Sequence, residues 1–418
     1  MSNVLIIGSG GREHALAYRF QQEGHQSFCI PGNIGMKEDG ITTKDLEINV
    51  DNIRSYCLKN KINKILIGPE KYLVNNLGQV LRDEGFDVIA PSAKAAQLEA
   101  SKSYSKSFMH KYKIPTAKGE NFSSSEDAFN YYSEIAVNEK AIVKVSGLAS
   151  GKGVFLPESL SEAREVINSL FDDSDYFIKT DCVVIEERLY GEEISVFYFI
   201  KDGKAYFIGQ AKDHKRLYEN DEGPNTGGMG CVSLPGSLTS EEQEYIENAI
   251  LMPTIKGMTS ESAPYSGFLF LGLMKTDDNF KVIEYNCRLG DPETQTILPL
   301  IDSSLYELFF DNNENIKINK EMFSVHVVCT SKNYSSINGE KMLLNQKIDL
   351  PQINDNKCKI YFAGVAYDDQ GQLINSGGRV LGVTSVGNDF VKVKELANSL
   401  CDSIKFEGKH FRRDIGND

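Results

Sequence analysis

The chain has 418 residues, with 45 Lys and Arg against 59 Asp and Glu and a formal net charge of -14. That length predicts about two to four domains at roughly 100 to 200 residues each, and 41% hydrophobic with 25% charged residues is a globular rather than a disordered composition. The acidic balance excludes a general cationic surface for nucleic acid or anionic membrane and leaves room only for local cationic pockets.

The first segment, from Val4 to about Lys94, alternates short β-rich runs with helical stretches. The runs VLIIG (4 to 8), SFCI (27 to 30), KILIGPE (64 to 70) and DVIAPS (87 to 92) predict βαβ units in a parallel sheet, a doubly wound α/β domain. Asn3 precedes the first run without the flanks of a signal peptide, which reads as the first strand of a cytoplasmic protein. The first βα turn is Gly8-Ser9-Gly10-Gly11, where glycines and a helix N-terminus favour an anion. Glu13 stands where a dinucleotide fingerprint needs its third glycine, and Cys29, Ile30 and Pro31 end the second run where an acid would bind a ribose, so NAD is disfavoured.

One helix is expected over Ala93 to Tyr112, ended by Pro115. From about Asn121 to Leu189 come a helix, the strand pair AIVKVSG/GVFLP, a second helix and VVIEERL, a small α+β module. Lys144 lies inside the apolar strand of that pair, and a buried ammonium is costly unless an anion faces it. The loop Gly147 to Gly153, which contains Gly151 and Lys152, is not a Walker loop: Ser146 replaces its first glycine, Gly153 replaces its Ser/Thr, and a strand follows. It reads as a hairpin flap over a triphosphate. Glu186, Glu187 and Leu189 end the last strand, whose backbone suits an adenine edge, and the Glu193 carboxylate suits ribose hydroxyls.

Strands ISVFYFI (194 to 200) and AYFIGQ (205 to 210) are followed by a charged segment, Asp213-His214-Lys215-Arg216, and a glycine-rich loop to Gly230. Asp213, Lys215, Asn225, Gly228 and Met229 are candidates for a pocket holding a small zwitterion, and His214 reads as structural. A helix from Thr239 leads to FLFLGLMKT and FKVIEYNCR. The period of two places Glu284, Asn286 and Arg288 on one face of the second strand and turns Tyr285 and Cys287 to the core. Glu284 and Asn286 offer hard oxygens suited to Mg²⁺, and Arg288 a charge to oppose a transferring phosphoryl group. Asp291, Pro292 and Glu293 follow in a turn. After about Glu321 come FSVHVVCT, KIYFAGVAYD with DDQG as its turn, RVLGVTSV and an amphipathic helix from Asp389 to Ile404.

The longest plainly apolar run, Phe268 to Met274, is far short of the ~20 residues that span a bilayer. Eight cysteines include no CxxC pair, so no zinc site or disulfide framework is expected and they read as reduced core residues.

Taken in order, GSGGREHAL (8 to 16), GPE (68 to 70), AAQLEASK (95 to 102), GLASGKGV (147 to 154), DHKR (213 to 216), GPNTGGMG (223 to 230), EYNCRLGDPETQ (284 to 295), GGRVL (377 to 381) and FRRDIG (411 to 416) make the chain resemble, over nearly its full length, the glycinamide ribonucleotide synthetase family of the ATP-grasp superfamily. The resemblance implies a doubly wound N-terminal domain over residues 1–100 that binds phosphoribosylamine, a central ATP-grasp lobe over 101–120 and 190–320, a small lid lobe over 121–189 and a small α+β C-terminal domain over 321–418. It implies ATP with Mg²⁺ or Mn²⁺, and ligation of glycine to 5-phosphoribosylamine through a glycyl phosphate in purine synthesis. The small-molecule partners are thus glycine, phosphoribosylamine and ATP, with a transient contact to the enzyme supplying the unstable amine.

By matching position, Lys106 and Lys144 hold ATP phosphates, Glu186 to Leu189 the adenine, Glu193 the ribose, and Glu284 and Asn286 the metal. Gly10, Gly11 and Glu70 fall to the phosphoribosylamine end, Asn225 to Met229 and Asp291 to Glu293 line the small-substrate side, and Arg288, Lys144, Asp213 and Lys215 are the candidate catalytic groups. One departure is that Tyr72, Asn76 and Gln79 stand where the family pattern after GPE has Pro, Gly and Asp.

Overall fold

The computed structural model describes residues 2–137, 140–147, 153–172, 180–311, 313–336, 339–353 and 355–417. Its first unit is the expected parallel sheet, five strands in the order Thr42–Thr43, Gln26–Pro31, Asn3–Gly8, Lys64–Ile67 and Asp87–Ile89. The two-residue edge strand is too short to leave a run in the sequence. Strand order reverses at Asn3–Gly8, and such a switch point opens a crevice beyond the carboxyl ends of its strands. Both Gly8–Gly11 and Gly68-Pro69-Glu70 lie there.

The expected single helix over 93 to 112 is two helices, Gln97–Ala100 and Lys102–Lys111. Ser101 is the break: its backbone is extended at φ -134°, and its hydroxyl accepts the Tyr104 amide at 3.2 Å as the N-cap of the second helix. Serine competes well for that position because its side chain replaces a missing helical acceptor.

The small module is a four-stranded antiparallel sheet, ordered Gly119–Phe122, Val183–Glu187, Ala141–Val145 and Val154–Phe155. Helices Ser125–Ile135 and Leu160–Phe171 cover it, and Ala128, Tyr132, Val143, Ala163, Ile167 and Ile185 form its own core. A separate core is what lets such a lobe hold its shape independently of the larger sheet.

Eight antiparallel strands form the main sheet, in the order Phe280–Asn286, Gly267–Lys275, Glu192–Lys201, Lys204–Asp213, Gly230–Ser233, Phe323–Thr330, Arg379–Gly387 and Cys358–Phe362. The C-terminal strands therefore continue the central sheet, because Gly230–Ser233 pairs with Phe323–Thr330. Two expectations are corrected here. The segment 219 to 230 is not a plain loop: Arg216–Tyr218 and Glu222–Asn225 pair as a hairpin. KIYFAGVAYD is two strands, Cys358–Phe362 and Val365–Tyr367, the second folding back on Leu373–Asn375. Gly364 makes the break, since a Cβ there would lie 2.7 Å from Gly377 Cα.

Among the described residues, no helix is long and apolar enough to cross a membrane. All eight cysteines are free, and all but Cys182 are buried.

Candidate functional site

The strand Phe280–Asn286 is the edge of the main sheet, and its free side faces the small lobe. Lys144 of that lobe donates to the Ile283 carbonyl at 3.1 Å, and Thr116 donates to the Val282 carbonyl at 2.8 Å. The expected alternation holds: Tyr285 and Cys287 are core residues, while Asn286 Nδ2 lies 3.4 Å from Glu284 Oε1 and Arg288 donates to Asn286 Oδ1 at 3.3 Å. Strand pairing stops at Asn286, so Arg288 lies just past the strand but keeps its face.

Facing this row is a cluster of lysines. Glu186 is buried between two of them, with Oε1 2.8 Å from Lys106 Nζ and Oε2 2.7 Å from Lys144 Nζ. Burial opposes ionisation of Glu186, but the Lys144 and Lys106 charges outweigh it and hold the carboxyl below its ordinary value. Burial pushes the Lys106 ammonium down, against the pull of Glu186. Lys106 is also held by the Ala117 carbonyl at 2.7 Å and the Thr116 hydroxyl at 3.1 Å. Glu284 is likewise held low, because Lys215, Lys102 and Lys144 together overcome its burial. Lys102 was not singled out by the sequence, yet it donates to the Gly147 carbonyl at 3.3 Å and its charge acts on Glu284.

Glu187 is buried at the strand end, accepting the Lys118 amide at 2.9 Å and pairing with Lys281 at 3.3 Å. Arg188 gives its amide to the Lys140 carbonyl at 2.7 Å, and Leu189 follows in the connection between the strands Val183–Glu187 and Glu192–Lys201. Glu193 hydrogen-bonds to Lys215, which ties the expected ribose acid to the expected catalytic lysine. Burial works against the Lys215 charge, but Glu193, Glu284 and Asp213 keep its pKa above the ordinary value.

On the other side of the row, Asp213 and Glu293 are both pushed up, first by burial; for Asp213 the Glu293 charge adds to it. Among the described residues, Asp213 Oδ1 is buried without a hydrogen-bond partner. Gly228 sits against this pair with φ +109°; a Cβ there would come within 2.6 Å of Pro292 Cδ and 2.9 Å of Asp213 Oδ1. Met229 was expected to present groups to a ligand. Its side chain is fully buried, its amide donates to the His214 carbonyl at 2.8 Å and its carbonyl accepts the Val328 amide at 3.0 Å, so it serves the sheet. His214 accepts the Gly416 amide at 3.3 Å.

Asp291 joins three parts of the chain. Its carboxylate accepts the Arg12 amide at 3.3 Å and the Gln295 amide at 2.8 Å and lies 3.5 Å from the Arg379 guanidinium, which also donates to the Asp291 and Gly227 carbonyls at 2.5 and 2.6 Å. Burial opposes its charge, but Arg379 and Arg12 draw its pKa down to about 2. Arg379 belongs to the GGRVL segment, whose sequence alone gives no sign that it reaches Asp291. At the glycine turn the amide of Gly10 donates to Glu13 at 2.7 Å, so the helix start carries its own acidic cap, and Gly11 packs on Gln295. Glu70 lies 3.2 Å from Arg288. Asn76, in place of the family glycine, adopts the left-handed conformation at φ +62°, which asparagine tolerates better than most residues. Gln79 donates to Asp83 at 2.8 Å on the helix surface. Gly151 and Lys152 lie outside the described residues, and Gly153 accepts the Val145 amide at 2.8 Å.

Glu284 and Asn286 fit a hard divalent cation: a carboxylate and an amide carbonyl stand on one face of the chain, and the Asn286 oxygen keeps a second lone pair beside the one that accepts from Arg288. Among the described residues no group of three or more His, Cys, Asp or Glu could hold a metal. A cation here would complete its shell with phosphate oxygens and water, as Mg²⁺ does in nucleotide sites.

Three family models match the chain: the phosphoribosylglycinamide synthetase N domain over residues 2–99, its ATP-grasp (A) domain over 100–294 and its C domain over 324–418. A phosphoribosylamine–glycine ligase of Lactococcus lactis is 37% identical over 420 residues, covering 99% of this chain and 98% of that protein. A trifunctional purine biosynthetic protein adenosine-3 of Chironomus tentans is 36% identical, and the chain spans 31% of its length. Among solved structures, the phosphoribosylamine–glycine ligase of Thermotoga maritima superposes with a TM-score of 0.85 at 33% identity, over 99% of this chain and all of that one. A biotin carboxylase of Campylobacter jejuni, at 15% identity and a TM-score of 0.72 over 98% of this chain and 92% of that one, shares the fold.

Proposed function

The chain belongs to the phosphoribosylglycinamide synthetase family, and from that premise we propose that its cleft joins glycine to 5-phosphoribosylamine with ATP as phosphoryl donor, giving glycinamide ribonucleotide, ADP and phosphate. It is a carbon–nitrogen ligase of purine biosynthesis. The observation that carries this reading is the row Glu284, Asn286, Arg288, set opposite Lys102, Lys144 and Lys215 between the two lobes.

A carboxylate is a poor electrophile, so one glycine oxygen must become a leaving group. In the first step a glycine carboxylate oxygen attacks the γ-phosphorus of ATP, the bond to ADP breaks, and glycyl phosphate forms. Lys106 and Lys144 neutralise phosphate charge and Arg288 balances the charge of the transferring group. A divalent cation held by Glu284 and Asn286 supplies further charge stabilisation at the phosphates. The phosphoribosylamine nitrogen then attacks the glycyl carbonyl, the carbon–oxygen bond to phosphate breaks, and phosphate leaves with one oxygen of the original carboxylate and takes up the proton that the amine gives up. The residues act by charge and position rather than as nucleophiles, and correct positioning is worth up to roughly 7 to 11 kcal/mol in favourable systems.

The remaining assignments follow. Glu186 to Leu189 border the adenine, Glu193 the ribose, Asp213 and Glu293 the glycine ammonium, and the crevice around Gly10, Gly11 and Glu70 the phosphoribosyl group. Because Glu13 already caps the turn, the N-terminal domain would hold that group through the crevice as a whole rather than by the Gly10 amide. The domain division is the two-lobed core over 101–320 flanked by 1–100 and 321–418, with Mg²⁺ or Mn²⁺ as the cation and the cytoplasm as the compartment.

The test is ADP release with phosphoribosylamine generated in situ from ribose 5-phosphate and ammonia. Release that requires both glycine and the amine is expected; release or ATP binding indifferent to glycine would favour a nucleotide-binding regulator or a ligase for another carboxylate.

A further inference from the structure

Glu99 lies on the short helix Gln97–Ala100, 188 positions from the residue whose amide it binds. One carboxylate oxygen accepts the Cys287 main-chain amide at 2.8 Å, and the other lies 2.9 Å from Arg288 NH2. Its side chain is 7% exposed. Cys287 follows Asn286 directly, so one acid grips both the chain just after the proposed metal ligand and the guanidinium of the proposed phosphoryl-charge group.

A carboxylate is a costly way to fill space in a protein interior. Burial pushes the Glu99 carboxyl up, with Arg288 and the Cys287 amide opposing that rise. An apolar side chain would pack here without the penalty. The two oxygens do what no apolar group can: they fix the backbone after Asn286 and compete with Glu70 for the direction of the guanidinium, since Arg288 Nε is 3.2 Å from Glu70.

We propose that Glu99 is a positioning residue, which aligns Arg288 with the transferring phosphoryl group and holds the Asn286 end of the strand in register for the cation. The proposal rests on the role assigned to Arg288 above. Residues that orient metal ligands typically change affinity or activity by about 10- to 100-fold when lost.

The experiment compares Glu99→Gln, Glu99→Ala and Arg288→Ala with the parent chain. Glutamine keeps the size but offers one acceptor where the carboxylate has two, so at least one contact is lost. The expected result for Glu99→Gln is a kcat per active enzyme lower by about 10- to 100-fold and a KM for ATP within about twofold of the parent, whatever the lost ion pair does to the melting temperature. Glu99→Ala should also weaken ADP–Mg²⁺ binding by about tenfold or more in calorimetry. A residue that only supports the fold would lower the melting temperature and the active fraction and leave the kcat of the surviving enzyme alone. Glu99→Gln with parental kcat, while Arg288→Ala is impaired, overturns the positioning role and leaves the proposed function standing. Parental kcat in both overturns the role of Arg288 as well.

Discussion

Arg288 donates to the Asn286 amide oxygen at 3.3 Å, so the group proposed to neutralise the phosphoryl charge and a group proposed to hold the cation are physically joined on one face of the chain. Loss of one preorganised charge-stabilising donor typically costs about 3 to 4 kcal/mol, or roughly two to three orders of magnitude in rate. Arg288→Ala should therefore lower kcat by about 100-fold or more in the ADP release assay, with ATP affinity little changed. Turnover equal to the parent would remove Arg288 from the reaction.

Glu186→Gln removes the charge between Lys106 and Lys144 while both ammonium groups stay buried. Breaking a buried ion pair from one side costs about 3 to 5 kcal/mol, because the remaining charge is uncompensated. The variant should melt earlier than the parent in thermal denaturation, and ADP should raise its melting temperature more than it raises the parent's, since phosphate supplies the missing anion. An equal ADP effect in both would separate the lysines from the nucleotide.

Asp291 gives a pH-dependent contribution whose sign is fixed by its depressed pKa of about 2. A carboxylate lower in the folded than in the unfolded chain stabilises at pH above about 3.9, and the stabilisation is lost as pH falls towards the folded value. The parent should exceed Asp291→Asn in stability by about 2 to 3 kcal/mol at neutral pH, and the gap should close between about pH 4 and 2. Urea titrations across that range measure it; a gap independent of pH would mean that geometry rather than charge sets the contribution.

Gly228→Ala places a Cβ where Pro292 Cδ and Asp213 Oδ1 already stand, at a backbone φ of +109°. Strain of this kind costs about 1 to 3 kcal/mol and is relieved only by moving the loop. The expected outcome is a raised KM for glycine with unchanged ATP binding, read from initial rates and calorimetry. Unaltered glycine kinetics would place the amino acid elsewhere.

Much of this site was legible because its residues are local in sequence. The alternation of Glu284, Asn286 and Arg288 with Tyr285 and Cys287 is a direct consequence of strand geometry, and the parallel sheet followed from apolar runs separated by helical stretches. Glu99 and Arg379 were not legible as site residues, since their partners Cys287 and Asp291 are 188 and 88 positions away. Glu99 did leave a trace, as an acid beside the buried Leu98 in a quoted motif, but nothing in the local pattern names its partner. The break at Ser101 and the hairpin Arg216–Asn225 were missed because capping and pairing depended on neighbours that the helical pattern and the glycine content concealed.

The most direct measurement supplies glycine whose carboxylate oxygens carry a heavy isotope and follows the label into the products by mass spectrometry. Activation through glycyl phosphate places one heavy oxygen in each molecule of released phosphate and leaves the other in the amide. Phosphate that emerges unlabelled, with ADP still formed in step with the amide, would contradict attack by the glycine carboxylate on ATP.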